Sequence, residues 1–194
     1  MHEIKPGYDR VTEVLFPFSG IAHVDKEILR KAADRGSAVH KHCDAIISGM
    51  GDEPIEEKWN GYMESFKKWI PGKKFFKNPG RLYDEKYMIT GECDGIYQDE
   101  DGNMVLFDLK TSAKEGKTWT LQGSAYFEMM RDIGFGEDNT PCQEICFVKL
   151  DRNGDNPKLF YYYPDFDEFL RLRSVYTRYF RGMEKFAEEY LDII

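Results

Sequence analysis

The chain contains no apolar run long enough to span a bilayer, and its opening residues, MHEIKPGYDR, carry no signal-peptide pattern. A cytoplasmic protein without a membrane partner is therefore expected. Cysteine is scarce: there are four, Cys43, Cys93, Cys142 and Cys146, and only the last two are close, as CQEIC. Nothing resembles paired CxxC ligands, so neither zinc nor an iron–sulfur cluster is expected. Cys93 and Cys146 lie in apparent strands and read as buried, reduced thiols. Internal repeats and low-complexity segments are also missing. Positive charge is in the minority, with 27 Lys and Arg against 35 Asp and Glu, a formal net charge of −8. That argues against a protein coated in positive charge, but a local basic groove can coexist with an acidic exterior.

What is present suits one globular domain. The 194 residues are 41% hydrophobic and 15% aromatic, ample for a core. The expected domain spans 1–194, with its core over about 25–163 and a C-terminal helix over about 164–191.

The most informative stretch is GECDGIYQDEDGNMVLFDLKT, from Gly91 to Thr111. It reads as two strands joined by Glu100-Asp101-Gly102, with Gly102 in the left-handed position that a three-residue loop needs. A loop centred on Asp101 pairs positions whose numbers sum to 202, and 94 plus 108 is 202. Asp94 and Asp108 then sit opposite each other on one face, with Lys110 two residues on. Burying two carboxylates and an ammonium beside Ile96 and Leu106 is costly without a partner. A divalent cation is the obvious one, and oxygen donors of this kind suit Mg²⁺ or Mn²⁺ better than zinc. A surface hairpin with an Asp108–Lys110 salt bridge is the plainer alternative. Against it, Val105-Leu106-Phe107-Asp108-Leu109 is apolar on both alternating faces, as in a central strand.

Upstream, Asp25 is the expected N-cap of a helix to about Ser48, with a stripe of Ile28, Leu29, Ala32, Val39, Cys43, Ile46 and Ile47. Gly36 interrupts it at a cost of about 1 kcal/mol relative to Ala, which suggests a close approach to the backbone there. His40 lies one turn further along the same face, and Asp44 one turn beyond that. A second helix is expected from Glu53 or Pro54 to Ile70. It leads into KKWIPGKKFFKNPGR, where Lys67, Lys68, Lys73, Lys74, Lys77 and Arg81 interleave with Trp69, Phe75 and Phe76. Such a segment either grips phosphates and stacks on bases, or is a solvated connector whose aromatics pack inward. A strand from Arg81 to Thr90 carries Glu85, either a third acid at the site or a solvent-facing residue. Thr118 or Thr120 caps a helix to about Ile133, with Gln122 and Tyr126 on one face. Strands over 144–150 and 158–163 and a C-terminal helix complete an α/β protein with a mixed central sheet flanked by helices.

Taken in order, RGSAVH (Arg35–His40), GECD (Gly91–Asp94), DLKT (Asp108–Thr111) and the pair Gln122 and Tyr126 resemble the PD-(D/E)XK nuclease superfamily. More narrowly they are similar to the branch of the RecB nuclease domain, its CRISPR-associated exonuclease relatives and phage exonucleases. The resemblance covers about residues 30 to 150. It implies a restriction-endonuclease-like core and a metal-dependent deoxyribonuclease of low sequence specificity. His40, Asp94 and Asp108 match metal ligands, Leu109 a backbone-carbonyl ligand, and Lys110 the motif lysine. Gln122 and Tyr126 match helix positions that hold the active site and contact DNA. One or two Mg²⁺ or Mn²⁺ ions are implied, and Arg35 with the Lys67–Arg81 segment would grip the DNA backbone. The cysteine set of iron–sulfur relatives is not reproduced, and no helicase motif accompanies the chain. By analogy it suits a stand-alone exonuclease acting on DNA ends in phage or mobile-element recombination and repair, with a recombination protein as a further partner, in a bacterial or phage-infected cytosol. A catalytically inactive DNA-binding accessory protein and an endonuclease on the same fold are the alternatives.

Overall fold

The computed structural model describes residues 4–21, 23–51 and 54–182. The N-terminal elements are β1 (Asp9–Arg10), α1 (Val11–Leu15), a 3-10 turn (Phe16–Phe18) and α2 (Lys26–Ile47). A second 3-10 turn (Glu57–Trp59), α3 (Asn60–Trp69), β2 (Lys74–Phe76), β3 (Leu82–Asp84) and β4 (Ile89–Gly91) follow. Next come β5 (Gly95–Gln98), β6 (Met104–Lys110) and α4 (Trp119–Met130). β7 (Gly134–Phe135), β8 (Thr140–Pro141), β9 (Glu144–Lys149), β10 (Lys158–Tyr162) and α5 (Phe166–Tyr179) complete the described chain.

The principal sheet has five strands in the order β10-β9-β6-β5-β2, and only the β6–β9 pair is parallel. This is an α/β protein with mixed sheets flanked by helices. In β6 every residue but Lys110 is buried, as its two-sided apolar pattern requires. Tyr97, Val105, Phe107 and Val148 pack with Val39, Cys43, Phe66 and Trp69 of α2 and α3. On the opposite face Ile96, Leu106, Ile145 and Phe147 pack with Leu121, Ala125 and Met130 of α4 and Phe169 of α5. The β5–β6 register pairs Gly95 with Phe107 and Ile96 with Leu106, the pairing a loop centred on Asp101 implies. Asp99 closes that loop by accepting from Asn103 N, and Gly102 takes φ +90°.

Several elements differ from the sequence reading. Arg81–Thr90 is not one strand but the hairpin β3–β4, because Asp84 Oδ1 caps a turn at Tyr87 N (2.8 Å) and Met88 takes φ +50°. β4 also pairs in parallel with β1, making a separate three-stranded sheet. The second helix begins at Asn60, after a 3-10 turn over Glu57–Trp59; Glu53 lies outside the described residues. β2 is an edge strand hidden in the basic segment. α4 stops at Met130, and Gly134 opens the β7–β8 hairpin instead. Ile28, placed in the apolar stripe of α2, is 60% exposed. The C-terminal helix, expected over about 164–191, is Phe166–Tyr179 and is followed by a turn over 180–182; the stretch past residue 182 lies outside the described residues. Among the described residues no helix is long and apolar enough to cross a membrane.

Candidate active site

Side chains alternate along a strand, so Asp108 and Lys110 leave β6 on the same face, toward α4. Lys110 Nζ lies 2.6 Å from Asp108 Oδ2. The approach is close but poorly aligned: Asp108 Oδ2 is buried without a properly directed hydrogen bond. The Lys110 ammonium is thus the ion-pair partner that this buried carboxylate oxygen needs. Burial pushes the Asp108 carboxyl above the usual range, with Lys110 opposing. Lys110 also donates to Gln122 Oε1 (3.0 Å), and Gln122 Nε2 donates to the Tyr126 hydroxyl (3.0 Å). Tyr126 reaches the sheet because residue 91 is glycine: a Cβ there would lie 2.3 Å from the Tyr126 ring.

Asp94 stands just before β5, where the strand end leaves room for α2. His40 Nδ1 contacts its Oδ1 at 2.7 Å, and Leu109 N donates to its Oδ2 at 2.6 Å. Burial raises the Asp94 carboxyl, but the His40 ring and the Leu109 N–H outweigh it and hold the group below the ordinary range. Burial likewise lowers His40, and Asp94 overrides that, leaving the imidazole above its usual value. Two residues escaped the sequence reading or were barely marked by it. Asn78 donates to the carbonyls of Cys93 and Asp94 (3.0 and 3.1 Å), fastening the end of β2 to the site. Its signal was the NPG turn. Asp44 lines both adjoining cavities, of about 530 and 500 Å³, that open a cleft between α2 and the strand edge with Asp94 in their walls.

The structure thus brings His40, Asp94, Asp108, Lys110, Gln122 and Tyr126 together, with Leu109 joining through its N–H. Arg35 lies one residue beyond the cluster, its Nε donating to Thr111 Oγ1 at 3.3 Å. Gly36 is not closely approached: a Cβ there would meet only Thr111 Oγ1, at 3.9 Å. Glu85 is exposed in the β3–β4 turn and does not join the cluster.

The basic segment is largely engaged with its own scaffold. Lys68 donates to Gly154 O (2.6 Å), Lys73 to Trp69 O (2.7 Å), Lys67 to Glu64 (3.4 Å) and Arg81 to Glu92 (3.2 Å). Lys74 sits 5.5 Å from the Phe76 ring centre, and only Lys77 lines the cleft. Trp69 and Phe75 pack inward with Tyr97 and Phe107, at ring separations of 5.2 to 6.0 Å.

Among the described residues no three His, Cys, Asp or Glu side chains already converge as a metal cage. The donors nevertheless fit Mg²⁺ or Mn²⁺ in kind: two carboxylates and an imidazole, with one Asp108 oxygen making no aligned hydrogen bond. In this arrangement His40 and Lys110 neutralise the carboxylates that a cation would claim.

Fold and site together define an α/β protein with a largely buried acid–base cluster at the C-terminal end of the central strand of its main sheet. No family profile matches the chain, and no curated protein matches it. Among solved structures, the crystal structure of SSO0001 covers 91% of this chain and 78% of its own, at 12% identity and a TM-score of 0.41. A likeness of that size says nothing about function.

Proposed function

We propose that the protein is a metal-dependent DNA exonuclease with a PD-(D/E)XK, restriction-endonuclease-like core of the RecB type. The observation that carries this reading is the convergence of Asp94, just before β5, and Asp108 and Lys110 of β6 with His40 of α2 and the Gln122–Tyr126 pair of α4. Its motifs lie far apart in sequence, and gathering two carboxylates with their ion-pair partners in a largely buried cluster is costly enough to suit a chemical task.

His40, Asp94 and Asp108 would hold one or two Mg²⁺ or Mn²⁺ ions, which would supply Lewis-acid chemistry for phosphodiester hydrolysis. Lys110 holds a proton at Nζ beside Asp108, and Gln122 fixes that ammonium in place with Tyr126 behind it. In this role Lys110 orients water and stabilises negative charge on phosphate oxygens. Leu109 N–H keeps Asp94 turned toward His40.

A second reading has its own support. The His40–Asp94 and Lys110–Asp108 contacts leave the cluster self-neutralised, as suits a DNA-binding accessory protein without catalysis. One digestion assay separates the readings. Linear single-stranded, linear duplex and closed circular DNA are incubated with Mg²⁺, Mn²⁺ or EDTA, alongside Lys110→Ala and Asp108→Ala. Loss of linear DNA only, dependent on metal and on both residues, is the expected result. Cutting of circles reassigns the protein to the endonucleases, and binding without any cutting supports the accessory reading.

A further inference from the structure

A third cavity, of about 410 Å³, opens beside Thr111, the residue that follows Lys110. Its walls hold three cations, Arg35, Lys149 and Arg152, against one carboxylate, Asp151. In a chain of net charge −8 this is a local reversal of sign. Each wall is held in place. Tyr62 donates to Thr111 O (3.2 Å), and the Arg35 guanidinium lies 5.8 Å from the Tyr62 ring centre while its Nε donates to Thr111 Oγ1.

The opposite wall is the turn between β9 and β10, anchored to α3 at three points. Asp151 N donates to Ser65 Oγ (2.9 Å), and Lys68 Nζ to Gly154 O (2.6 Å). Gly61 allows the third contact, since a Cβ there would lie 1.9 Å from Arg152 O. The Asp151 carboxylate is turned into its own loop, accepting from Asn153 N (2.7 Å). No ion pair engages Lys149 or Arg152 among the described residues. The backbone of this turn is thus fixed against α3, with Lys149 and Arg152 in the cavity wall.

We propose that this cavity takes a backbone phosphate of a nucleic-acid strand, one or two nucleotides from the bond that lies over Asp108 and Lys110. Arginine, lysine and hydroxyl donors around a cavity are the usual partners of a phosphate. The wall of the cavity begins at Thr111, one residue from Lys110 and about 3.8 Å along the chain. The placement rests on the nuclease reading; the binding itself does not.

The test uses the full chain and fluorescent single-stranded and duplex oligonucleotides, with binding followed by anisotropy in EDTA over a range of salt. Lys149→Gln combined with Arg152→Gln is compared with a control of equal charge change, Lys86→Gln combined with Lys158→Gln, at two exposed lysines. The pocket variant should bind roughly tenfold more weakly near about 100 mM salt, with a log–log salt slope shallower by about two. In Mg²⁺ its KM should rise while kcat stays near the parent value. Unchanged affinity and slope, or an equal loss in the control, would overturn the proposal. Binding that depends on Lys149 and Arg152 without metal-dependent cutting keeps the pocket and rejects the nuclease. Cutting by the parent with unaltered binding by the pocket variant does the reverse, and a parent that binds no nucleic acid ends both.

Discussion

The cluster around Asp94, Asp108 and Lys110 and the basic segment from Lys67 to Arg81 carry their charges in opposite ways. In the cluster, His40 of α2 meets Asp94 and Lys110 meets Asp108 on β6, largely shielded from water, and Gln122 of α4 holds the ammonium. In the segment, charges of one sign sit side by side in sequence yet disperse in space, onto Gly154 O, Trp69 O, Glu64 and Glu92. Burying a charge is expensive enough that a persistent cluster needs a reason. A lysine on an exposed stem costs almost nothing and needs none. Register and burial are therefore better guides to a site than the density of charge along the sequence.

The comparison can be broken at several points. Lys110→Ala carries the largest expected effect, a loss of metal-dependent cleavage on the order of 10²- to 10⁴-fold. Its circular-dichroism spectrum should remain that of the parent, and undiminished cutting would remove Lys110 from the site. Trp69→Ala should destabilise the fold by about 3–5 kcal/mol in chemical denaturation, because Trp69 is 4% exposed among Phe66, Phe75, Tyr97 and Phe107. A variant of parental stability that has lost single-strand binding would instead make the segment a base-stacking platform.

A subtler effect belongs to His40. Asp94 is held below its ordinary range, so its contribution to stability is present at neutral pH and fades as pH falls through its folded value. His40 is held above its ordinary value, so its contribution is full in mild acid and fades as pH rises through the folded value. The stability difference between the parent and His40→Gln should therefore shrink from about pH 6 to about pH 9. A difference that grows with pH would contradict the pairing. Smallest of all, Lys67→Gln with Lys74→Gln should change DNA affinity by less than about threefold, since these exposed side chains lie away from the cleft walls.

Much of the cluster was legible because period-two alternation and a three-residue loop fix which strand residues face each other. The register of β5 on β6 follows from Gly102 and Asp101 alone. Helical spacing likewise placed Gln122 beside Tyr126. The rest depended on contacts that no local pattern encodes. Asp84 capping Tyr87 N split one expected strand into two and carried Glu85 away from the site. β2 was hidden because an edge strand needs no clean alternation when lysines cover it. Asn78 acts through two carbonyls fifteen and sixteen residues away, and nothing in NPG announces those partners. The cationic cavity was equally silent, since Arg35, Lys149 and Arg152 meet only after α2 and the β9–β10 turn are in place.

The central claim is that His40, Asp94 and Asp108 form a metal centre, and Mn²⁺ titration by calorimetry tests it most directly. The parent should bind one or two ions, with affinity that weakens as acid protonates Asp108, whose carboxyl already sits above the ordinary range. Asp94→Asn combined with Asp108→Asn should abolish that binding while keeping the fold. Equal Mn²⁺ binding by parent and double variant, or none by either, would contradict the account.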